Sequence, residues 1–403
     1  MKRELLQAVR VTDTVWWVGA VDWNIRDFHG YLTHRGTSYN AYLILADKIT
    51  LVDTVKAPFK NELLSRISSL INPEDISYII SNHSEMDHSG CLPDIIETVK
   101  PEKVFASVMG LKTLSGHFHD VSAITAVKDG DSLSLGNMDV SFIETRMLHW
   151  PDSMFSYIPA EKLLFSSDAF GMHLASRLLY SDKVDESVLK HECEKYFANI
   201  LLPYAKLVTK LLEKVTKSGL EIAMILPDHG PIWRTKDGVE KVLNLYRSWA
   251  EQKHSQKAVI IYDTMWNSTE KMARMITEGI ACKGVEVKLM SLRSFHRSDV
   301  ASELLDCGAL VVGSPTLNNT IFPTVADVMT YLRGLKPVNL IGAVFGSYGW
   351  SGEAVKQLET MLTDMKIELV GESISTRYVP DDDVLEQCFK LGNNIAEKLQ
   401  EVS

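Results

Sequence analysis

None of the five cysteines (Cys91, Cys193, Cys282, Cys307, Cys388) stands in a C-x-x-C pair. An odd, scattered set fits a reducing compartment rather than a disulfide framework, and without a four-cysteine knuckle the chain carries no rubredoxin-type iron centre of its own. The N-terminus, Met1-Lys2-Arg3-Glu4, develops no apolar run, so neither a signal peptide nor a membrane span is expected, and the expected location is the cytoplasm. Positive charge is in deficit, with a formal net charge of −10. Binding a phosphate backbone needs a basic face, so nucleic acid is not an expected partner. There is no G-x-G-x-x-G for a dinucleotide and no Gly-Lys-Ser/Thr loop for nucleotide hydrolysis. Internal repeats and low-complexity tracts are also missing.

What remains is an ordinary globular composition, 45% hydrophobic and 23% charged, over 403 residues, which is too long for one core and predicts two domains. In the first part, runs rich in β-branched and aromatic residues at 14–19, 38–45, 48–53, 76–81, 103–107, 139–144, 162–167 and 221–226 read as strands. Helical spacing of apolar residues covers 60–70, 198–217 and 236–252. Residues 121–144 read as successive short strands around the turns Asp129-Gly130-Asp131 and Leu135-Gly136-Asn137. A polar stretch at 251–257 then marks a boundary, giving domains 1–252 and 253–403. Beyond it the texture becomes strict alternation. Strands fall at 258–262, 285–290, 309–313, 339–345 and 368–372, and helices at 269–282, 298–305, 325–332, 351–362 and 382–399. Five such units predict an α/β, doubly wound, five-stranded parallel sheet.

Chemistry concentrates at strand ends. His83-Ser84-Glu85-Met86-Asp87-His88 follows the strand 76–81 directly, placing four metal-ligand candidates within six residues. His83, Glu85 and Asp87 are two apart, so an extended backbone would aim them to one side, and a turn at Ser89-Gly90 would swing His88 round. His149, Asp168 and His229 each close an apolar run and are followed closely by Pro or Gly. Four imidazoles and three carboxylates are enough for two metal ions sharing one carboxylate bridge. Of the other histidines, His34, His117, His119, His191, His254 and His296 read as structural.

The second domain offers a different set. Its first strand ends in Thr264, Met265, Trp266, Asn267, Ser268 and Thr269 and opens straight into a helix, a hydroxyl-rich start suited to one phosphate. Ser314, Pro315, Thr316, Leu317, Asn318 and Asn319 follow the third strand, and Ser347, Tyr348, Gly349 and Trp350 follow the fourth. Trp266, Tyr348 or Trp350 would flank the faces of a flat ring. A monophosphate without strong cationic contacts suits flavin mononucleotide (FMN), and these loops match the flavodoxin pattern. The alternative is a signalling domain of the same fold with an empty cleft.

The series His83-x-Glu85-x-Asp87-His88, His149, Asp168, His229 resembles the metallo-β-lactamase fold, an αββα sandwich of two sheets with helices outside. Its hydrolytic members typically carry His where this chain has Glu85. A further anionic oxygen ligand favours harder iron over zinc. With a flavodoxin-like domain behind it, the Glu variant resembles the flavodiiron proteins (A-type flavoproteins) from about Trp16 onward. That resemblance puts His83, Glu85 and His149 on one iron and Asp87, His88 and His229 on the other, with Asp168 bridging. In some members the residue matching His88 turns away and solvent replaces it. His29 and Tyr196 match pocket residues that donate hydrogen bonds to bound oxygen species. The implied activity is reduction of O2 to water, of NO to N2O, or both, scavenging these gases in an oxygen-sensitive microbe. The implied partners are an external donor, either rubredoxin or a reduced deazaflavin, and a second copy of the chain in a head-to-tail dimer or a dimer of dimers. The rivals are a di-zinc hydrolase with an accessory flavodoxin-like domain and a non-catalytic flavin electron carrier. The cofactor reading predicts that flavin released by denaturation is FMN, without an adenylate moiety. Chromatography that finds FAD, or no flavin after reconstitution, would refute the phosphate-loop argument.

Overall fold

The computed structural model describes residues 6–119, 124–253 and 255–402. Residues 1–4, residues 121–123 of the expected 121–144 strand region, and His254 lie outside them. Packing divides the chain into two compact units. The first is Met1–His29, Thr33–Tyr196 and Lys206–Arg247; the second is Gly30–Leu32, Phe197–Ala205 and Ser248–Ser403.

Two sheets build the first unit. One runs in the order Val9–Arg10, Val15–Trp17, Tyr42–Ile44, Thr50–Val52, Tyr78–Ser81, Lys103–Ser107 and Ile124–Val127. Its first three pairings are antiparallel and its last three parallel. The other runs Ser132–Ser134, Asp139–Glu144, Met154–Ile158, Leu163–Phe165 and Met224–Leu226. Between them lies a core that includes Val15, Tyr42, Val52, Ile80, Phe142, Met154, Phe165 and Leu226. The helices Lys60–Ser68, Leu92–Val99 and Val108–Phe118 cover the first sheet's other face through Leu63, Ile67, Leu92, Ile95 and Leu114. Behind the second sheet Phe155 meets Phe170, which lies 4.6 Å from Tyr246 of the helix Lys236–Glu251. This is the αββα sandwich.

The expected strand at 38–45 is two strands, Thr37–Tyr39 and Tyr42–Ile44, with different partners. Asn40 breaks the ladder because its amide goes elsewhere. Its N–H donates to the Asp228 carbonyl (2.7 Å), and its side chain donates to the carbonyls of Pro227 (2.7 Å) and Gly230 (2.9 Å). The helix expected at 198–217 starts with irregular turns at Phe197–Leu201 and Leu202–Tyr204 before Ala205–Ser218.

The second unit is a parallel sheet in the order Glu286–Ser291, Lys257–Tyr262, Ala309–Leu317, Ile341–Tyr348 and Glu368–Leu369. The fifth position is shared. Glu368–Leu369 pairs with the start of Ile341–Tyr348, and Ile374–Arg377 pairs in parallel with its end. Helices Ser268–Ala281 and Asp382–Val402 pack through glycines. A Cβ at Gly279 would stand 2.1 Å from the Phe389 carbonyl oxygen, and one at Gly392 would stand 2.3 Å from that of Ile276. Among the described residues no helix is long and apolar enough to cross a membrane.

Candidate functional site

In the first unit, backbone geometry sorts the clustered ligand candidates into two sets. After the strand Tyr78–Ser81 the chain bends at Asn82, Glu85 is extended (φ −62°, ψ 148°), and the backbone then turns helical over Met86–Ser89. Asp87 is therefore not part of an extended alternation with His83 and Glu85, as its spacing suggested. The helical turn, rather than Ser89-Gly90, directs both Asp87 and His88. Potential ligand atoms of His83, Glu85, His149 and Asp168 lie within 4.8 Å of one another, and so do those of Asp87, His88 and His229.

Asp168 joins the sets. Its Oδ2 lies 3.3 Å from His83 Nε2 and 3.0 Å from His149 Nε2, while its Oδ1 lies 3.3 Å from both His88 Nε2 and His229 Nε2. Glu85 Oε2 is 3.2 Å from His83 Nε2 and 3.1 Å from His149 Nε2, and Asp87 Oδ2 is 3.2 Å from His229 Nε2. Adjacent ligands of an octahedral ion at ~2.1 Å stand roughly 3 Å apart, so these separations are those of coordination-shell edges. Both oxygens of Asp87, Oδ1 of Asp168 and both ring nitrogens of His88 are buried without a hydrogen bond. Buried polar atoms are normally satisfied, so this many orphans in one place fits a pair of metal ions.

The electrostatics agree. Burial pushes the Asp168 carboxyl up, but the charge of His88 and the imidazole of His149 outweigh it and hold it well below the usual range. Burial opposes charge on His88 and His149, yet the carboxylates around them push these imidazoles up to about 10 and about 9. The pocket is organised to hold positive charge.

Outer contacts fix the rings. His83 Nδ1 lies 3.1 Å from Asp152 Oδ2, which also accepts from the Ser84 amide (2.6 Å). His229 Nδ1 donates to the Ser38 carbonyl (2.6 Å), and His88 Nδ1 lies 3.7 Å from Asp228 Oδ2. The partners of His83 and His229 select the tautomer that leaves Nε2 free for a metal, while Asp228 lies beyond hydrogen-bond distance of His88. His29 Nε2 is 2.7 Å from Glu85 Oε1. Tyr196 is buried 5.0 Å, ring to ring, from His173, which itself lies 4.8 Å from His229. Left-handed backbones near the site include His29 (φ 55°), Asp53 (φ 56°) and Ser167 (φ 50°). The strain at Asp53 and Ser167 is offset by hydrogen bonds, Asp53 N–H to the Ile80 carbonyl and Asp228 N–H to that of Ser167, both 2.8 Å.

Sequence reasoning left Asp152, Asp228, Asp53 and His173 unassigned. Asp228 carried a signal, because it sits in Pro227-Asp228-His229-Gly230 beside a chosen histidine. His173 and Asp152 are isolated polar residues that only the fold brings in. Of the histidines read as structural, His296 caps the helix Arg297–Leu304 by accepting from the Ser298 amide, and His117 stacks on Trp150.

The second unit holds a separate cavity of about 500 Å³ at the strand ends. Twelve of the residues expected there line it: Met265, Trp266, Ser268, Pro315, Thr316, Leu317, Asn318, Asn319, Ser347, Tyr348, Gly349 and Trp350. Thr264, Asn267, Thr269 and Ser314 do not. Thr269 Oγ1 is 2.9 Å from Ser347 Oγ, and Ser314 Oγ accepts from the Phe322 amide, so both hold the loops. Thr264 Oγ1 is buried with no partner, and Asn267 takes φ 66° at the head of the helix Ser268–Ala281. A free hydroxyl and a left-handed turn opening a helix fit a phosphate. Trp266 and Trp350 are 89% and 85% exposed, large aromatic faces at the mouth that fit a flat ring. Tyr378 and Val379 also line the cavity. They were missed because the strand before them, Ile374–Arg377, was not anticipated.

The model of the ODP family beta lactamase matches residues 37–230, and the flavodoxin model matches residues 260–392. The nitric oxide reductase of Moorella thermoacetica is 47% identical over 397 residues, 98% of this chain and 99% of that protein. The solved rubredoxin oxygen:oxidoreductase of the anaerobe Desulfovibrio gigas is 45% identical with a TM-score of 0.96, covering 98% of this chain and 99% of that one. The solved flavodiiron protein of Giardia intestinalis is 34% identical with a TM-score of 0.95, covering 100% and 98%.

A shared carboxylate has a distinct signature when removed. Asp168→Ala is expected to lose metal from both sets while keeping the flavin, measured by elemental analysis and flavin absorbance of the same sample. Retention of two metals per chain in that variant would remove Asp168 from the bridge.

Proposed function

The chain belongs to the flavodiiron family, and from that membership we propose that it is a cytoplasmic enzyme reducing O2 to water, NO to N2O, or both. It is an oxidoreductase whose cofactors are FMN and a pair of irons, and this reading is favoured over the di-zinc hydrolase. The observation that carries it is the single carboxylate of Asp168 set between two histidine–carboxylate groups, one of which includes Glu85.

In this reading His83, Glu85 and His149 hold one iron, Asp87, His88 and His229 hold the other, and Asp168 bridges. Residues 1–252 form the di-iron domain and 253–403 the FMN domain. When bound, the irons and the flavin together supply four electrons, the number that takes O2 to two waters; coupling two NO to N2O and water needs two. The protein's own part is to bind, orient and protonate. Glu85 supplies a hard oxygen donor that balances ferric charge. His29, with Nε2 2.7 Å from Glu85 Oε1, orients that carboxylate and carries a proton at the edge of the site. The Glu85 contact raises the His29 imidazole above its ordinary value, which favours the protonated donor. Burial, helped by the charge of Asp168, pushes the Tyr196 phenol well above its ordinary value, so it too stays protonated and able to donate. In the second unit the segments 264–269, 314–319 and 347–350 would seat the FMN, with Thr264 and the amides about Asn267 toward its phosphate.

The cysteine pattern supports a reducing compartment. Rubredoxin is the proposed donor, with reduced deazaflavin as the alternative. The proposed assembly is a head-to-tail homodimer, alone or paired into a dimer of dimers, in which each flavin faces the partner's irons. The test is anaerobic reduction followed by mixing with O2 or NO, with gas consumption and products measured. Consumption of either gas with water or N2O as product, lost in Asp168→Ala, is expected. Partial recovery in verified mixed dimers of Asp168→Ala and Thr316→Ala/Asn267→Ala chains is expected of the head-to-tail arrangement. Reduced, iron-loaded protein that consumes neither gas would overturn the proposed function.

A further inference from the structure

A second cavity in the first unit, about 160 Å³, is lined by the segments that hold the His229 ring in place, through Ser38, Asn40, Gly230 and Pro231. Ser38 accepts His229 Nδ1–H at its carbonyl (2.6 Å) and the Gly230 amide at its hydroxyl (2.8 Å). Asn40 is saturated, accepting from Trp17 Nε1 and donating to two carbonyls. Two arginines, Arg66 and Arg177, line the same space. Arg66 lies with Cζ 4.6 Å from the centre of the Trp17 ring, and one of its N–H groups donates to the Gln7 carbonyl, but its Nε is buried with no partner. Arg177 is exposed and makes no ion pair among the described residues. Among the described residues no acidic side chain lines the cavity. Burial holds the Arg66 guanidinium below its ordinary value; Glu62, one turn away on the same helix, opposes that shift, and the charge of Arg177 adds to it.

Two arginines lining one cavity, with no carboxylate lining it among the described residues, suit an anion. The guanidinium fork matches a planar oxyanion in shape and hydrogen bonding. The remaining walls are largely aliphatic, among them Leu174, Leu178 and Leu179. An apolar lining alongside two cationic side chains suits an anion with a hydrocarbon body better than a fully hydrated inorganic one. The volume is several times the ~30 Å³ share of one liquid water, which suits a small molecule. We propose that this cavity binds a small organic carboxylate, its oxyanion between Arg66 and Arg177 and its apolar body against the leucines. The ligand would lie one residue, Ser38, from the ring of His229, so its binding would reach the metal site through a backbone carbonyl.

The test uses the holoprotein and fluorine NMR with para-fluorobenzoate as probe, para-fluorobenzyl alcohol as the uncharged control, and hexanoate and inorganic phosphate as competitors. Saturable binding of the benzoate, silence of the alcohol and displacement by hexanoate but not by phosphate are expected. Arg177→Gln, at an exposed position where folding is not at risk, should weaken binding by about tenfold or more, the scale of one charge-assisted contact. Arg66→Gln should do the same. Absence of saturable binding, or binding unchanged in Arg177→Gln as it would be for a carboxylate sitting on the metals, would overturn the proposal. Displacement by phosphate as effective as by hexanoate would also overturn it, since any oxyanion would then serve.

Discussion

Everything in the first unit converges on one buried carboxylate. Asp168 sets Oδ2 against His83 and His149 and Oδ1 against His88 and His229, at 3.0 to 3.3 Å in each case. Taking an ionised carboxylate out of water costs on the order of several kcal/mol, and here it is repeated at Glu85 and Asp87 within the same pocket. Imidazoles alone offset part of that cost, and two metal ions held there would offset the rest. The constraint reaches outward. Asp168 needs the left-handed turn at Ser167, that turn accepts from the Asp228 amide, and the Asp228 carbonyl takes the amide of Asn40 out of its own strand. One charge placement thus explains a strained backbone, a broken strand and the two groups of ligands.

The second unit follows a different economy, in which shape does more than charge. Its cavity lies at the ends of parallel strands, where Pro315–Leu317 and Ser347–Tyr348, expected as loops, still belong to the strands, and the turns beyond them offer amides and hydroxyls. Asp263 at the base of the first loop is buried, taking hydrogen bonds from Thr324 Oγ1 (2.6 Å) and Arg293 Nε (3.2 Å). That clamp fixes the loop start before the helix opens. The exposed indoles at the rim provide flat apolar area rather than ion pairs, in keeping with a flavin ring.

Much of this was legible in the sequence because ligand chemistry leaves short-range marks. His83, Glu85, Asp87 and His88 are contiguous, and His149, Asp168 and His229 each close an apolar run, so residue type and strand-end position identified a set that the fold gathers into one pocket. The division into two groups was not legible from spacing, since nothing local announces that the backbone turns helical at Met86. The strand Met154–Ile158 escaped because both its faces are buried and it shows no alternation. The helix Val108–Phe118 carries two glycines, and Glu186–Tyr196 has few apolar residues, so neither shows a clear period. Asp152 and His173 gain meaning only from contacts dozens of residues away, which is the part that no local pattern encodes.

The central claim is that one carboxylate joins two irons, and the most direct measurement is Mössbauer spectroscopy with magnetisation on protein loaded with isotopically enriched iron. The account predicts two irons per chain in nitrogen- and oxygen-rich environments whose spins are coupled to each other. Two magnetically independent irons, a single iron, or zinc in their place would contradict it.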